Sequence, residues 1–281
     1  MVEDRQLISG KETKIVQKLF MCAPYHYSID YEINPWMKLG TESSNTYAFE
    51  RWTEFTNLLT HKLGVEVLTM EPQPGLPDIT FTANAALIYK NRAIISRFRY
   101  KERQGEEKFF AEWFSKNGFI VEFLPEGICF EGAGDALFSG ETLYAGYVPR
   151  SDKEAYPIIA EMLDIRVIPF ELIDPRFYHL DTCFCPLTDG YLMYFSGAFN
   201  EFDNKIIENE FSPEKRIPVT EEEAIKFSCN AVCIDKDIII NYTSERLKNK
   251  LKEKGFKTHE IDFSEFIKAG GSAKCLTLKL S

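Results

Sequence analysis

The sequence lacks several things that would have announced a partner. No apolar run approaches the roughly 18 residues a membrane span requires. Cationic excess is missing too: 33 Lys and Arg face 43 Asp and Glu, for a formal charge of −10. That balance argues against nucleic acid as the main partner, because phosphate binding needs a net cationic face. The segment from Met1 to Lys14 has no apolar core of the export-signal kind. There is no low-complexity tract and no linker-like stretch, so the 281 residues (1–281) are expected to fold as a single domain. The cysteines number seven, an odd count in a long chain, which points to reduced thiols and a cytoplasmic setting rather than a disulfide framework. What remains is ordinary globular composition, 44% hydrophobic and 27% charged, and that excludes disorder.

Within it a unit recurs. Short β-rich segments begin at Val65, Ile120, Ile165 and Phe256. Ahead of each lies a helix-like stretch with apolar residues at three- and four-residue spacing: Ala48 to Leu63, Gly105 to Asn117, Lys153 to Leu163 and Thr243 to Lys254. Strand pairs around polar turns precede the helices, as in Leu87-Ile88…Ala93-Ile94-Ile95, Leu137-Phe138…Leu143-Tyr144 and Val232-Cys233-Ile234…Ile238-Ile239-Ile240. The stretch between Ile165 and Phe256 leaves room for one further unit. The pattern reads as ββαβ, about 50 residues long, repeated about five times. A closed ring would hide the edges that a single unit cannot protect, and strand ends from every unit would meet at a central channel. An open α/β sandwich is the alternative.

Few residues are placed to carry chemistry. His26, His61 and His259 read as structural. His179 stands in Tyr-His-Leu-Asp181-Thr-Cys, where a strand would turn His179 and Asp181 to the same side. Such a pair is either an acid/base assembly or an ordinary surface ion pair. Glu131-Gly-Ala-Gly-Asp135 joins two carboxylates across small residues, either to orient a histidine or merely to form a tight turn. Gly270-Gly271-Ser-Ala-Lys274-Cys275 sets a thiol at the start of the last strand after a flexible glycine pair. Lys274 would favour its thiolate at neutral pH; a small buried residue is the simpler reading. Cys183 and Cys185, with His179, are of zinc-ligand type, but finger-like paired spacing is missing, and no metal is expected. Asp78 and Asn84, in Asp-Ile-Thr-Phe-Thr-Ala-Asn, are acceptors either for a cation or for a turn.

Taken in order, these segments resemble the guanidino-group-modifying enzymes, the pentein superfamily of dimethylargininases, arginine deiminases, arginine dihydrolases and amidinotransferases. The resemblance runs from Asn34-Pro-Trp-Met to Cys275. It implies an α/β fold, a five-bladed ββαβ propeller. It also implies Cys275 as nucleophile, His179 as general acid/base, and Glu131 as the group orienting His179. Asp181 and Asp78 would contact substrate, Arg103 and Arg150 would bind its α-carboxylate, and Asp135 would support its motif. No metal or organic cofactor is implied. The expected partner is a small guanidino amino acid, with neither nucleic acid nor membrane; homo-oligomerisation stays open.

One departure sorts the subclasses. Arginine deiminases carry Asp where this chain has Asn84, and an amide supplies no charge to clamp a guanidinium. Asn84 together with Asn34 looks like the arginine dihydrolase group, which takes arginine to ornithine, carbon dioxide and two ammonia. The compact length leaves no room for the helical insertion of larger deiminases. Dimethylargininase and amidinotransferase activities are the enzyme alternatives, and a catalytically silent propeller that serves as a binding module is the alternative of another class.

Overall fold

The computed structural model describes residues 16–280, so the Met1–Lys14 reading lies outside the described residues. Five three-stranded sheets follow one another, each with an antiparallel inner pair and a parallel outer strand. In the second blade these are Ala86–Tyr89, Arg92–Ile95 and Ile120–Phe123, and in the third Ala136–Ser139, Thr142–Tyr147 and Arg166–Glu171. The fourth has Phe184–Pro186, Leu192–Tyr194 and Arg216–Pro218, and the fifth Val232–Ile234, Asp237–Ile240 and Lys257–Glu260. The first blade closes the ring by pairing the two ends of the described chain. Lys18–Cys22 lies between the late strand Leu278–Lys279 and Glu66–Met70. The expected ring of five ββαβ units is therefore the architecture, and the unit left room for is the fourth blade.

Outer strands are reached through helices whose apolar stripes face the sheets. Asn45–Asn57, Glu107–Lys116, Ala155–Leu163 and Glu245–Glu253 occupy the four expected stretches, and Glu201–Glu210 serves the fourth blade. Hydroxyl or amide caps start three of them: Ser44, Asn200 and Ser244 each accept a backbone N–H of the first turn. The first helix continues through a π-helical turn at Leu58–Lys62. Among the described residues no helix is long and apolar enough to cross a membrane.

The core is divided between the blades. In one cluster Phe20 meets Phe110, Phe114 and Trp113 at ring separations of 6.3, 5.3 and 4.1 Å, and Leu278 packs in the same group. The five inner strands line a cavity of about 1130 Å³ whose mouth carries the hairpin turns, including Lys90, Gly140 and Gly190. The segments that enter those strands converge at the other end.

Leu278 is nearly solvent-free and sits on the closing strand three residues after Cys275. Leu278→Ala is expected to lower unfolding stability by about 2–5 kcal/mol, read from urea denaturation. A loss below about 1 kcal/mol would show that the ring does not depend on this closure.

Candidate functional site

Every inner strand is entered through a short polar turn, and each turn delivers a polar side chain to one place. Asn84 precedes the second blade, Glu131 and Asp135 the third, His179 and Asp181 the fourth, Asn230 the fifth and Cys275 the first. The turns hold one another in a closed circuit. Ala83 N–H donates to the Cys275 carbonyl at 3.1 Å, and Asn84 Nδ2 donates to the Glu131 carbonyl at 3.2 Å. Leu180 N–H donates to Asp135 Oδ1 at 3.1 Å, Asn230 Nδ2 to the Asp181 carbonyl at 3.1 Å, and Cys275 N–H to Asn230 Oδ1 at 3.2 Å. Asp135 Oδ2 also accepts from Ser151 Oγ at 2.6 Å, so this carboxyl supports the frame. Burial pushes its pKa well above the usual carboxylate range.

His179 does not lie in a strand. Its own backbone is extended, but Leu180–Thr182 forms a 3₁₀ turn in which Thr182 Oγ1 donates back to the His179 carbonyl at 2.6 Å. Pleat alternation is therefore not what brings His179 and Asp181 together; a hydroxyl-braced turn is. The imidazole Nε2 lies 2.7 Å from Glu131 Oε2, which also accepts from Arg150 Nη1 at 2.9 Å. Burial would raise the Glu131 carboxyl, but Arg150 and His179 hold it well below the usual range. An ionised Glu131 only accepts, so Nε2 carries the hydrogen and Nδ1 keeps a lone pair. Burial draws the His179 pKa down to about 4 despite Glu131, which favours the neutral ring. Arg150 is clamped between the Tyr100 and Tyr178 rings, 4.7 and 4.8 Å from their centroids, and donates to the Ile33 carbonyl at 2.8 Å.

Cys275 is likewise in a turn, not at the start of the last strand, which begins at Leu278. Its Sγ accepts from Asn230 Nδ2 at 3.1 Å and lies 3.5 Å from Asp181 Oδ2. Burial and the Asp181 charge push the thiol pKa up, and Lys274 does not reverse this. Both effects act against the thiolate expected at neutral pH. The glycine pair beside it is packed rather than flexible. Gly270, at φ +83°, accepts from Tyr178 Oη at 2.7 Å, and a Cβ on Gly271 would stand 2.4 Å from the Phe81 ring. Asp181, raised to about 6 by burial against the pull of Lys274, is the acid nearest the sulfur.

The second-blade turn that carries Asp78 and Asn84 is a pair of 3₁₀ turns, Pro77–Thr80 and Thr82–Asn84. Thr80 and Thr82 spend their hydroxyls on the Cys22, Phe20 and Leu276 carbonyls and pin the segment to the first blade. Asp78 Oδ2 accepts from Tyr31 at 3.0 Å, and burial raises its carboxyl. Arg103 is buried against Glu106, with Nε and Nη2 on its two oxygens at 2.9 and 2.8 Å. Nη1 donates to Asn84 Oδ1 at 2.9 Å and Nη2 also to the Asp78 carbonyl at 3.2 Å. A ligand carboxylate would have to compete with Glu106 for Arg103 and with Glu131 for Arg150. Asn34 is already engaged: Nδ2 donates to the Ala269 carbonyl, far along the chain, at 3.0 Å, while Oδ1 accepts from Trp36 and Met37 of its own loop. Among the described residues no hydrogen bond joins it to Asn84.

Sequence reasoning missed Asn230, Glu106 and Tyr31. Asn230 had a signal: Asn230-Ala-Val232 enters its blade as Asn84-Ala-Ala86 enters the second. Cys183 and Cys185 are buried apart, donating to the Leu180 and Ala231 carbonyls, and among the described residues no cluster of three or more His, Cys, Asp or Glu forms a metal site. Eight buried side-chain polar atoms in the described residues lack a partner, and four of them are Asp78 Oδ1, Arg150 Nε, His179 Nδ1 and Ser272 Oγ. Unpaired buried polar atoms are costly, and these four fall on or beside the turns of the circuit, as expected of groups that await a polar ligand. A bare imidazole nitrogen, a thiol and two acids suit attack on a cationic, electron-poor carbon.

Because Asp181 raises the thiol pKa, Asp181→Asn is expected to speed carboxamidomethylation of Cys275 at about pH 8 several-fold, followed by mass spectrometry of its peptide. An unchanged or slower rate would contradict this electrostatic reading.

Residues 28–281 match the sequence profile of the N,N-dimethylarginine dimethylhydrolase family, eukaryotic type. The bifunctional arginine dihydrolase/ornithine cyclodeaminase AgrE of Nostoc sp. is 48% identical over 267 residues, 94% of this chain; the chain spans only 38% of AgrE. The crystal structure of the N-terminal domain of cyanobacterial ArgZ, an arginine dihydrolase, in a cysteine-to-serine form bound to substrate, superposes with a TM-score of 0.92 at 49% identity, covering 94% of this chain and 98% of that one. An N(G),N(G)-dimethylarginine dimethylaminohydrolase of Mycobacterium tuberculosis is 34% identical over 96% of this chain and 88% of its own length. Five ββαβ blades, the ordered turn residues and these matches agree: the chain belongs to the N,N-dimethylarginine dimethylhydrolase family, with the pentein propeller fold.

Proposed function

We propose that this chain is a single catalytic domain that hydrolyses L-arginine to ornithine, carbon dioxide and two ammonia, with Cys275 as nucleophile and His179 as acid/base. The observation that carries it is Asn84, a neutral amide bonded to Arg103 and Glu131 where a one-step deiminase needs a second acid. The identity shared with AgrE and with the ArgZ domain supports it, as does an asparagine-to-serine ArgZ variant covalently bound to a reaction intermediate. The cytoplasm is the compartment we assign.

The resting site is a thiol beside a neutral imidazole. A guanidinium entering against Asp181 and Asp78 brings positive charge to the sulfur and offsets what burial and Asp181 impose. The Cys275 proton passes to His179 Nδ1, and Sγ bonds to the guanidino carbon. His179 returns that proton to a terminal nitrogen, which leaves as ammonia. Water, deprotonated by the now neutral imidazole, attacks the amidino-thioether, and Sγ departs to leave a ureido group. A second attack by Sγ on the retained ureido carbon expels the second ammonia. Water then releases a carbamate, which loses carbon dioxide to give ornithine. Two waters are consumed, and the atoms balance.

With L-arginine the protein is expected to yield ornithine and two equivalents of ammonia, with none from Cys275→Ala, by amino-acid and ammonia analysis. Citrulline that accumulates and is not consumed would sink the two-step reading; turnover of methylated arginine alone would favour dimethylargininase. The rate kcat/KM is expected to rise with pH through about 6, as Asp181 sheds its proton and can hold a cation; a profile flat across that range would contradict the role of Asp181. Asn84→Asp is expected to stop at citrulline.

A further inference from the structure

Asn84 matters chemically only if its amide points one way. Guanidinium is a donor and wants acceptors; the ureido carbonyl is an acceptor and wants a donor. A carboxylate at this position serves the first and repels the second. An amide can serve either, depending on which end faces the reaction centre, and an isolated asparagine in a pocket is free to flip.

Here it is not free. Arg103 has no acceptor, so Nη1 at 2.9 Å compels Oδ1 to face it. The Glu131 carbonyl has no donor, so at 3.2 Å it compels Nδ2 to face the third-blade turn. Nδ2 then keeps a second N–H with no partner among the described residues. Its location is fixed by Gly134: a Cβ there would lie 2.1 Å from Asn84 Nδ2 and 3.5 Å from His179 Cγ, so the amide nitrogen and the imidazole share the space that glycine leaves open. Arg103 is in turn held by Glu106, which grips Nε and Nη2 and is fully buried. The Arg103 guanidinium also lies 4.4 Å from the Phe98 ring, which limits its tilt.

We propose that the buried Glu106–Arg103 pair is a positioning device that turns the Asn84 amide so that Nδ2 donates toward the reaction centre and retains the ureido carbonyl for the second hydrolysis. This rests on the dihydrolase reading above. It also gives Arg103 a task other than binding a substrate carboxylate. Neither Arg103 nor Glu106 touches the reacting atoms in this role; both act through Asn84.

The test is the product partition of the 281-residue chain with L-arginine, comparing Glu106→Gln and Arg103→Lys with the unaltered chain. Glu106→Gln removes the charge that grips Arg103, and Arg103→Lys cannot reach Glu106 and Asn84 together. The fraction of consumed arginine that leaves as citrulline is a ratio of two products from one enzyme, so loss of folded protein does not move it. That fraction is expected to rise about five- to tenfold in both variants, the worth of one hydrogen bond, with KM for added citrulline rising more than KM for arginine. Variants that consume arginine more slowly but still release only ornithine would overturn the positioning role. If the unaltered protein itself releases only citrulline, the dihydrolase reading falls and takes this proposal with it, a result distinct from the first. Should neither variant fold, a neutron structure of the unaltered protein decides: deuterons on the amide atom facing the Glu131 carbonyl support the proposal, and deuterons on the atom facing Arg103 overturn it.

Discussion

Five turns that hydrogen-bond one another in a circle are the constraint on which the rest depends. Each turn enters an inner strand, so its backbone is anchored on one side by a blade. On the other side it is anchored by the next turn, through the Ala83, Asn84, Leu180, Asn230 and Cys275 donors. A loop site would ordinarily be mobile. Here a shift of any one turn breaks bonds to both neighbours, and the first blade, made from the two ends of the described chain, locks the circle. Residues nearly 200 positions apart, from Asp78 to Cys275, are thereby held in register by hydrogen bonds between turns.

The circle encloses charges that do not cancel completely. Glu131 and Arg150 form a permanent pair, and Arg103 and Glu106 a second. Around them burial opposes the charged forms of both His179 and Cys275. Asp78 and Asp181 are acids whose ionisation burial opposes. Such a centre gains most from a ligand that brings a delocalised positive charge, because the cation relieves both acids and the thiolate at once.

Much of this was legible in the sequence, and for identifiable reasons. The outer strands and four of the helices carry long enough periodicity to be seen, and the ordered motifs from Asp78 to Cys275 give the ring its contents. The fourth blade was dimmer because its strands are three residues each, two of them ending in Pro186 and Pro218, too short to show alternation. Its helix, Glu-Phe-Asp-Asn-Lys-Ile-Ile-Glu-Asn-Glu, is mostly polar and buries only Asp203 and Ile207. Local geometry around the site misled because hydroxyls and amides make turns where side-chain type alone reads as strand; Thr82 and Thr182 are the cases. Glu106 was invisible for another reason: a buried acid on a helix-start segment looks like any surface glutamate until Arg103 is seen beside it.

Glu131, as the acceptor at Nε2, sets the His179 ring with its proton on Nε2 and Nδ1 bare. Nitrogen-15 NMR of the histidine side chains, assigned with a His179→Gln control, reads this directly. The expected spectrum at about pH 7 has a proton-bearing Nε2 and an unprotonated Nδ1, with the second proton taken up only as the pH falls toward about 4. An imidazolium at pH 7, or a neutral ring with its proton on Nδ1, would contradict it.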